Sequence, residues 1–222
     1  MRTKLAIFSG KILQSFIKFL GLGTGATWPG HLALKIQPEL LRYLENRLSQ
    51  GSILISGTNG KTTTAHLISS ILRESGLTVV HNPSGANLVN GLVSALITDC
   101  SWIGGRRSDL AVFEVDERNL PLALGSFNPE IVVLLNLSRD QLDRYAELEL
   151  TLEKWHDALV GLPQGVAVIY DETDSRLRQL AEAEELEHLQ WQSFGLKRPA
   201  GFASPLPGGF NQKNTNAAVQ VA

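Results

Sequence analysis

Cysteine is almost absent from this chain: Cys100 is the only one among 222 residues. One thiol excludes an internal disulfide framework and any zinc site built from a cysteine cluster, and it points to a reducing compartment, the cytoplasm. Cys100 itself reads as a packing residue. A surplus of charge is absent too, since 20 basic side chains face 22 acidic ones for a formal net charge of -2. Nothing in that balance advertises a nucleic-acid partner, and none is expected. The N-terminal stretch MRTKLAIFSGKILQSFIKFLGLG is apolar but interrupted by Lys11 and Lys18. It is too short and too charged to span a bilayer, and no small-residue cleavage site of a secretory signal follows it. Internal repeats and low-complexity tracts are also missing. The acidic run EAEELEH reads as a solvated helix face.

What is present is an alternation. Leu5, Phe8, Ile12, Phe16, Phe19 and Leu20 recur at spacings of three and four, which predicts an amphipathic helix with that stripe packed on the domain. Lys4, Lys11 and Lys18 flank the stripe, so attachment to a membrane surface is the alternative. A glycine-rich loop, GLGTGATWPGHLAL, and a second helix ending at Gly51 follow. Five apolar runs then recur with helical segments between them: 53–56, 77–80, 110–115, 131–135 and 166–170, with LQWQSFG as a weaker sixth. This predicts an α/β fold, a mainly parallel sheet flanked by helices. The expected organisation is a helical segment over residues 1–50 packed on a larger domain over 51–222. The tail is read as loop until Phe210 and helix thereafter.

The chemistry-bearing residues fall at the ends of the apolar runs, where open parallel sheets bind ligands. The stretch ILISGTNGKTTTAHLISSIL runs from strand through glycine-rich turn into helix. Its Gly57, Thr58, Asn59, Gly60, Lys61, Thr62 and Thr63 have the make-up of a phosphate loop. Glycines let backbone amides approach phosphate oxygens, Lys61 adds a point charge, and the Thr62 hydroxyl suits magnesium. The ordinary pattern requires glycine at position 55, which is Ile55, and an ordinary strand-to-helix turn is the bland alternative. In LAVFEVDERNL, Glu114, Asp116 and Glu117 end an apolar strand beside that loop, as hard oxygen ligands for magnesium would. Strand alternation places Glu114 and Asp116 on one face, whereas Glu117 is read as the start of the next helix. Asn136 ends another strand, with Asp140 and Asp143 after it; a helix cap with Arg–Asp surface pairs explains these equally well. NPSGANLVNG is either a substrate loop or a turn with a helix cap.

Together these residues resemble the Mur ligase family, and within it the MurT branch. GTNGKTTT is similar to the shortened phosphate loop of Mur ligases and folylpolyglutamate synthetases, which accounts for isoleucine at position 55. EVDE followed by NLSRDQLDRY resembles MurT more narrowly, because Gln141 stands where most Mur ligases carry histidine. GTGATWPGHLAL and NPSGANLVNGLVSALI also look like MurT segments, and the resemblance runs from about residue 10 onward. It implies a P-loop-type Mur ligase central ATP-binding domain over 51–222. The implied role is the ATP-using subunit of lipid II isoglutaminyl synthase, which phosphorylates the α-carboxyl of D-glutamate in the peptidoglycan stem peptide. Ammonia from a glutamine amidotransferase subunit, GatD-like, then attacks the acyl phosphate. ATP and Mg2+ are the implied cofactors, Lys61 and Glu114 the catalytic residues, and Thr62 with Glu114 the metal ligands. Asn136 joins the nucleotide-binding set, and Asn211 and Asn214 match the family's adenine-side asparagines. The lipid II substrate leaves peripheral membrane contact open.

Two departures qualify the match. Phe194 to Gly209 stands where MurT proteins carry a four-cysteine zinc ribbon, so no zinc is expected. The family's further C-terminal domain is also missing, so a fragment or truncated homologue, inactive alone, is expected. No lysine is found of the kind that amino-acid-adding Mur ligases carbamylate, in keeping with an ammonia-using branch. Another Mur-type carboxylate–amine ligase, such as a folylpolyglutamate synthetase, and a catalytically silent ATP-binding scaffold are the alternatives.

Overall fold

The computed structural model describes residues 2–21, 26–82, 85–102, 105, 107–138, 145–197 and 207–222, with the backbone alone at 145–147. Among the described residues six strands form one sheet: β1 (Ser52–Ser56), β2 (Val79–His81), β3 (Leu110–Glu114), β4 (Ile131–Leu134), β5 (Ala167–Asp171) and β6 (Gln190–Phe194). Their spatial order is β2-β3-β1-β4-β5-β6, and every pairing is parallel. The expected mainly parallel sheet is therefore wholly parallel. All five residues of β1 and of β3 are buried, because helices cover both faces of the sheet.

Strand alternation divides the interior in two. Leu54, Phe113, Val132, Leu134 and Val168 point to the larger core. It is closed by α1 (Arg2–Phe19), α2 (Trp28–Ile36), α3 (Leu40–Glu45), α5 (Val89–Asp99), α6 (Leu120–Leu124), α7 (Tyr145–Val160) and α8 (Ser175–Ala181). Ile53, Ile55, Val112, Val133 and Ile169 point the other way, onto α4 (Lys61–Glu74) and α9 (Gly209–Val221). After β1 the chain builds β2 and β3 on one side, then crosses to β4 on the other. The carboxyl ends of β1 and β4 therefore flank a topological switch point, where such sheets open a crevice.

Two expectations are corrected. The strand foreseen over 77–80 begins at Val79 because Leu77 is used to close α4: its N–H bonds Leu72 O at 3.1 Å, around Gly76 in the left-handed region (φ 93°). Helix α1 forms as foreseen, but with its faces reversed. The stripe Leu5, Phe8, Ile12, Phe16, Phe19 and Leu20 is exposed, while Ala6, Ile7, Gly10, Lys11 and Ile17 are buried. Small residues decide this. A Cβ on Gly10 would lie 2.9 Å from Ile97 Cδ1 and 3.3 Å from Pro29 O, so only the Ala6–Gly10 face approaches α2 and α5 this closely.

Candidate functional site

Between Ser56 and Lys61 the chain makes its loop with two glycines at positive φ, Gly57 (141°) and Gly60 (88°). A side chain at position 60 would be strained by that backbone and would also place its Cβ 2.4 Å from Asn214 Oδ1. Helix α4 starts at once, with Gly60 as its N-cap and no side chain capping it. Its first amides and the positive end of its dipole therefore face the crevice.

The loop is held from the β4 side. Thr58 N–H donates to Asn136 O (2.9 Å), Asn59 N–H to Asn136 Oδ1 (3.0 Å), and Asn136 Nδ2 to Asn59 O (3.0 Å). Asn59 Nδ2 donates to Ser138 Oγ at 2.9 Å, and Ser138 N–H to Thr58 Oγ1 at 3.1 Å. Asn136 thus fixes the loop with both ends of its amide. The Lys61 ammonium donates to Gly57 O and to Thr58 O and lies 3.6 Å from Glu117 Oε2. Glu117, read from sequence as a helix start, instead faces the lysine. Fully buried Trp155 of α7 donates Nε1–H to Glu117 O at 2.9 Å and so fixes the backbone there.

Thr62 Oγ1 donates to Glu114 Oε2 at 2.7 Å. Glu114 is 4% exposed, and its Oε1 faces His81 Nε2 at 3.4 Å without the geometry of a hydrogen bond, leaving that oxygen otherwise unpartnered. Burial pushes the Glu114 carboxyl up, but the contacts from His81 and Thr62 and the charges of His81 and His66 outweigh it and hold the group below its ordinary value. Its backbone is fixed by Asn82, which is fully buried: Glu114 N–H donates to Asn82 Oδ1 (2.9 Å) and Asn82 Nδ2 to Glu114 O (3.0 Å). His81 bonds Val112 O through Nδ1 at 2.9 Å, which turns Nε2 toward the carboxylate. Asp116 does not join Glu114. β3 ends at Glu114, and Asp116 Oδ1 instead accepts Arg118 N–H (3.1 Å) and Asn119 Nδ2 (3.4 Å) in the turn toward α6.

Beyond the loop, Asn136, Asn214, Lys213, Asp171 and Phe210 line a cavity of about 90 Å³ that adjoins a wider one of about 280 Å³. Lys213 Nζ donates to Asp171 Oδ2 at 2.7 Å. Asn211 lies apart from both, its Nδ2 bonded to Pro207 O at 2.8 Å. The structure thus gathers Gly57–Thr63, Glu114, Asn136 and Asn214 beyond the carboxyl ends of β1, β3 and β4. Asp140, Gln141 and Asp143 lie outside the described residues, as do 83–84 and 198–206. Three neighbours went unforeseen, His81, Asp171 and Lys213, while Asn82, which opens the NPSGANLVNG stretch, takes a role not foreseen for it, holding the Glu114 backbone. The available signals were polar residues closing β2 and β5, and a lysine between two asparagines already singled out.

A Mur ligase middle-domain family model matches residues 55–203. The chain is 30% identical over 185 residues to the MurT subunit of lipid II isoglutaminyl synthase (glutamine-hydrolyzing) of Staphylococcus aureus strain COL, covering 83% of this chain and 40% of that protein. It is 32% identical over 169 residues to the MurT subunit of Streptococcus pneumoniae, covering 76% and 36%. It therefore spans about two fifths of the length of these relatives. In three dimensions it is similar to MurF of Acinetobacter baumannii, with a TM-score of 0.66, 19% identity, and coverage of 85% of this chain and 45% of that one. That likeness shows the fold: a parallel six-stranded sheet between helices. With the middle-domain model matched from β1 past β6, the chain belongs to the Mur ligase family.

Proposed function

We propose that this chain is the ATP-binding part of a MurT-type subunit of lipid II isoglutaminyl synthase. It activates the α-carboxyl of D-glutamate in the stem peptide as an acyl phosphate, which ammonia from a GatD-like glutaminase converts to an amide. The similarity to MurT subunits over 83% of the chain supports the substrate and partner. The observation that carries the nucleotide reading is the pairing of Thr62 Oγ1 with Glu114 Oε2 at 2.7 Å beside the Lys61 loop. The cytoplasm, where ATP is found, is the proposed location.

These residues suit a magnesium ion. Glu114 is buried with one unpartnered oxygen and a carboxyl held below its ordinary value, so it offers an anionic hard ligand next to a hydroxyl. Thr62 and Glu114 would hold the ion, which supplies neutralisation of phosphate charge when bound. The rest falls to the chain itself. Amides at the start of α4, together with Lys61, bind phosphate oxygens and stabilise charge on the transferring group. Glu117 and the loop carbonyls hold the Lys61 ammonium at the mouth of that loop. Asn136 keeps the loop in register, and Asn214 with Lys213 and Asp171 forms the wall where the nucleoside is placed.

The test is to mix the subunit that carries these residues with Mg·ATP, lipid II, glutamine and a GatD-like glutaminase and to follow ADP and the mass of the stem peptide. ADP release that needs lipid II and glutamine together, with one amide gained, supports the reading. ADP release driven by a free amino acid in place of ammonia overturns it in favour of an amino-acid-adding ligase.

A further inference from the structure

Helix α1 is apolar on two opposite sides. Ala6, Ile7, Gly10 and Ile17 face the domain. Leu5, Phe8, Ile12, Phe16 and Phe19 fall within about 80° of arc at roughly 100° per residue on the other side, and Phe16 and Phe19 are 57% and 86% exposed. Trp102, 55% exposed, extends this surface: its ring stands edge-on to Phe8 at 6.0 Å, with Lys11 Nζ 5.6 Å from its centre. A contiguous outward apolar patch of this kind marks an interaction surface.

The charges around the patch select its occupant. Residues 1–38 contain Arg2, Lys4, Lys11, Lys18 and Lys35 and no aspartate or glutamate. Arg2, Lys4 and Lys18 are exposed on the same helix. Large apolar and aromatic side chains beside basic ones on a helix lying flat against its domain are the make-up of a helix that settles into an anionic lipid surface. A second copy fits less well, because a symmetric pairing would set Arg2, Lys4 and Lys18 against the same cluster with no carboxylate on either helix. The helix is also not a span: among the described residues no helix is long and apolar enough to cross a membrane.

We propose that the outward face of α1, with Trp102, is a membrane-docking surface that seats the protein on anionic lipid headgroups. The proposal stands independently of the catalytic reading, since it uses none of the residues of the crevice. It also supplies what a lipid-linked substrate requires, an active site held near the bilayer.

The test is co-sedimentation of the chain with vesicles of phosphatidylcholine alone and of phosphatidylcholine mixed with phosphatidylglycerol. Binding to the anionic vesicles is expected to be about tenfold tighter or more, and to weaken with added salt. Phe16→Glu with Phe19→Glu, on side chains that the fold does not bury, is expected to lower that binding by about tenfold or more at unchanged melting temperature. Lys4→Glu with Lys18→Glu is expected to remove the preference for anionic vesicles. Wild-type protein that stays in the supernatant, or binds both vesicle types alike, overturns the proposal, as does a double phenylalanine variant that binds like wild type. A dimer that the phenylalanine substitutions split, with no vesicle binding, assigns the face to a second copy instead.

Discussion

Glu114 owes its position to residues at the end of the neighbouring β2 and just past it. Asn82 holds its N–H and C=O, and the β2–β3 register, with His81 opposite Val112, brings the imidazole to its carboxylate. Asn82→Ala should therefore cost about 1–3 kcal/mol by leaving buried backbone groups unpaired. Urea unfolding measures this, and the variant should also bind magnesium-dependent nucleotide more weakly. A second buried carboxyl gives a pH signature away from the site. Glu45 is 3% exposed, accepts Ser52 Oγ at 2.6 Å and Asn128 N–H at 3.0 Å, and is pushed up from its ordinary value of 4.5 chiefly by burial. A raised folded-state value means that the native chain binds the proton more tightly than the unfolded chain does. The stability this contributes is full below 4.5 and is lost as pH rises through the folded value. The stability of wild type minus that of Glu45→Gln should therefore fall with rising pH across that window, as paired thermal melts would show. At this scale Lys61, Thr62 and Glu114 could be singled out from the sequence because each sits in a local pattern of strand, turn and helix. The roles of His81 and Asn82 were hidden because they arise only where the chain at β2 meets β3, and that of Asp171 because its partner Lys213 comes from α9.

Among the elements, α1 shows most plainly what periodicity leaves undecided. The six-residue apolar stripe predicted a helix, and a helix formed. The opposite side of α1 carries Ala6 and Gly10, whose small size permits close packing, and that side won. Gly10→Val should cost about 1–3 kcal/mol through overpacking against Ile97 and Pro29 O. Phe16→Ser, on the exposed side, should change stability by less than about 0.5 kcal/mol. Equal costs in urea titrations would contradict the assignment of faces. The glycine loop between β1 and α4 is the second such element. Gly60→Ala must place a side chain at φ 88° and within 2.4 Å of Asn214 Oδ1, so it should lower both stability, by about 1–3 kcal/mol, and nucleotide affinity. The strands were the most legible elements, since apolar runs buried on both faces have few other ways to fold. β2 begins two residues later than foreseen because Leu77 was needed to close α4.

For the molecule as a whole, the sheet order β2-β3-β1-β4-β5-β6 sets the loop after β1 beside Asn136 after β4 and brings α9 across with Asn214. No single segment contains that site; the crossover from β3 to β4 assembles it. A nucleotide bound there contacts the native arrangement alone, so Mg·ATP at about a hundred times its dissociation constant should stabilise the chain by about 2.7 kcal/mol. The most direct test of the account is calorimetric titration of wild type and Lys61→Ala with Mg·ATP. The account predicts saturable one-site binding by wild type and at least a tenfold loss in the variant, with melting temperature preserved. Equal binding by the two proteins would contradict it.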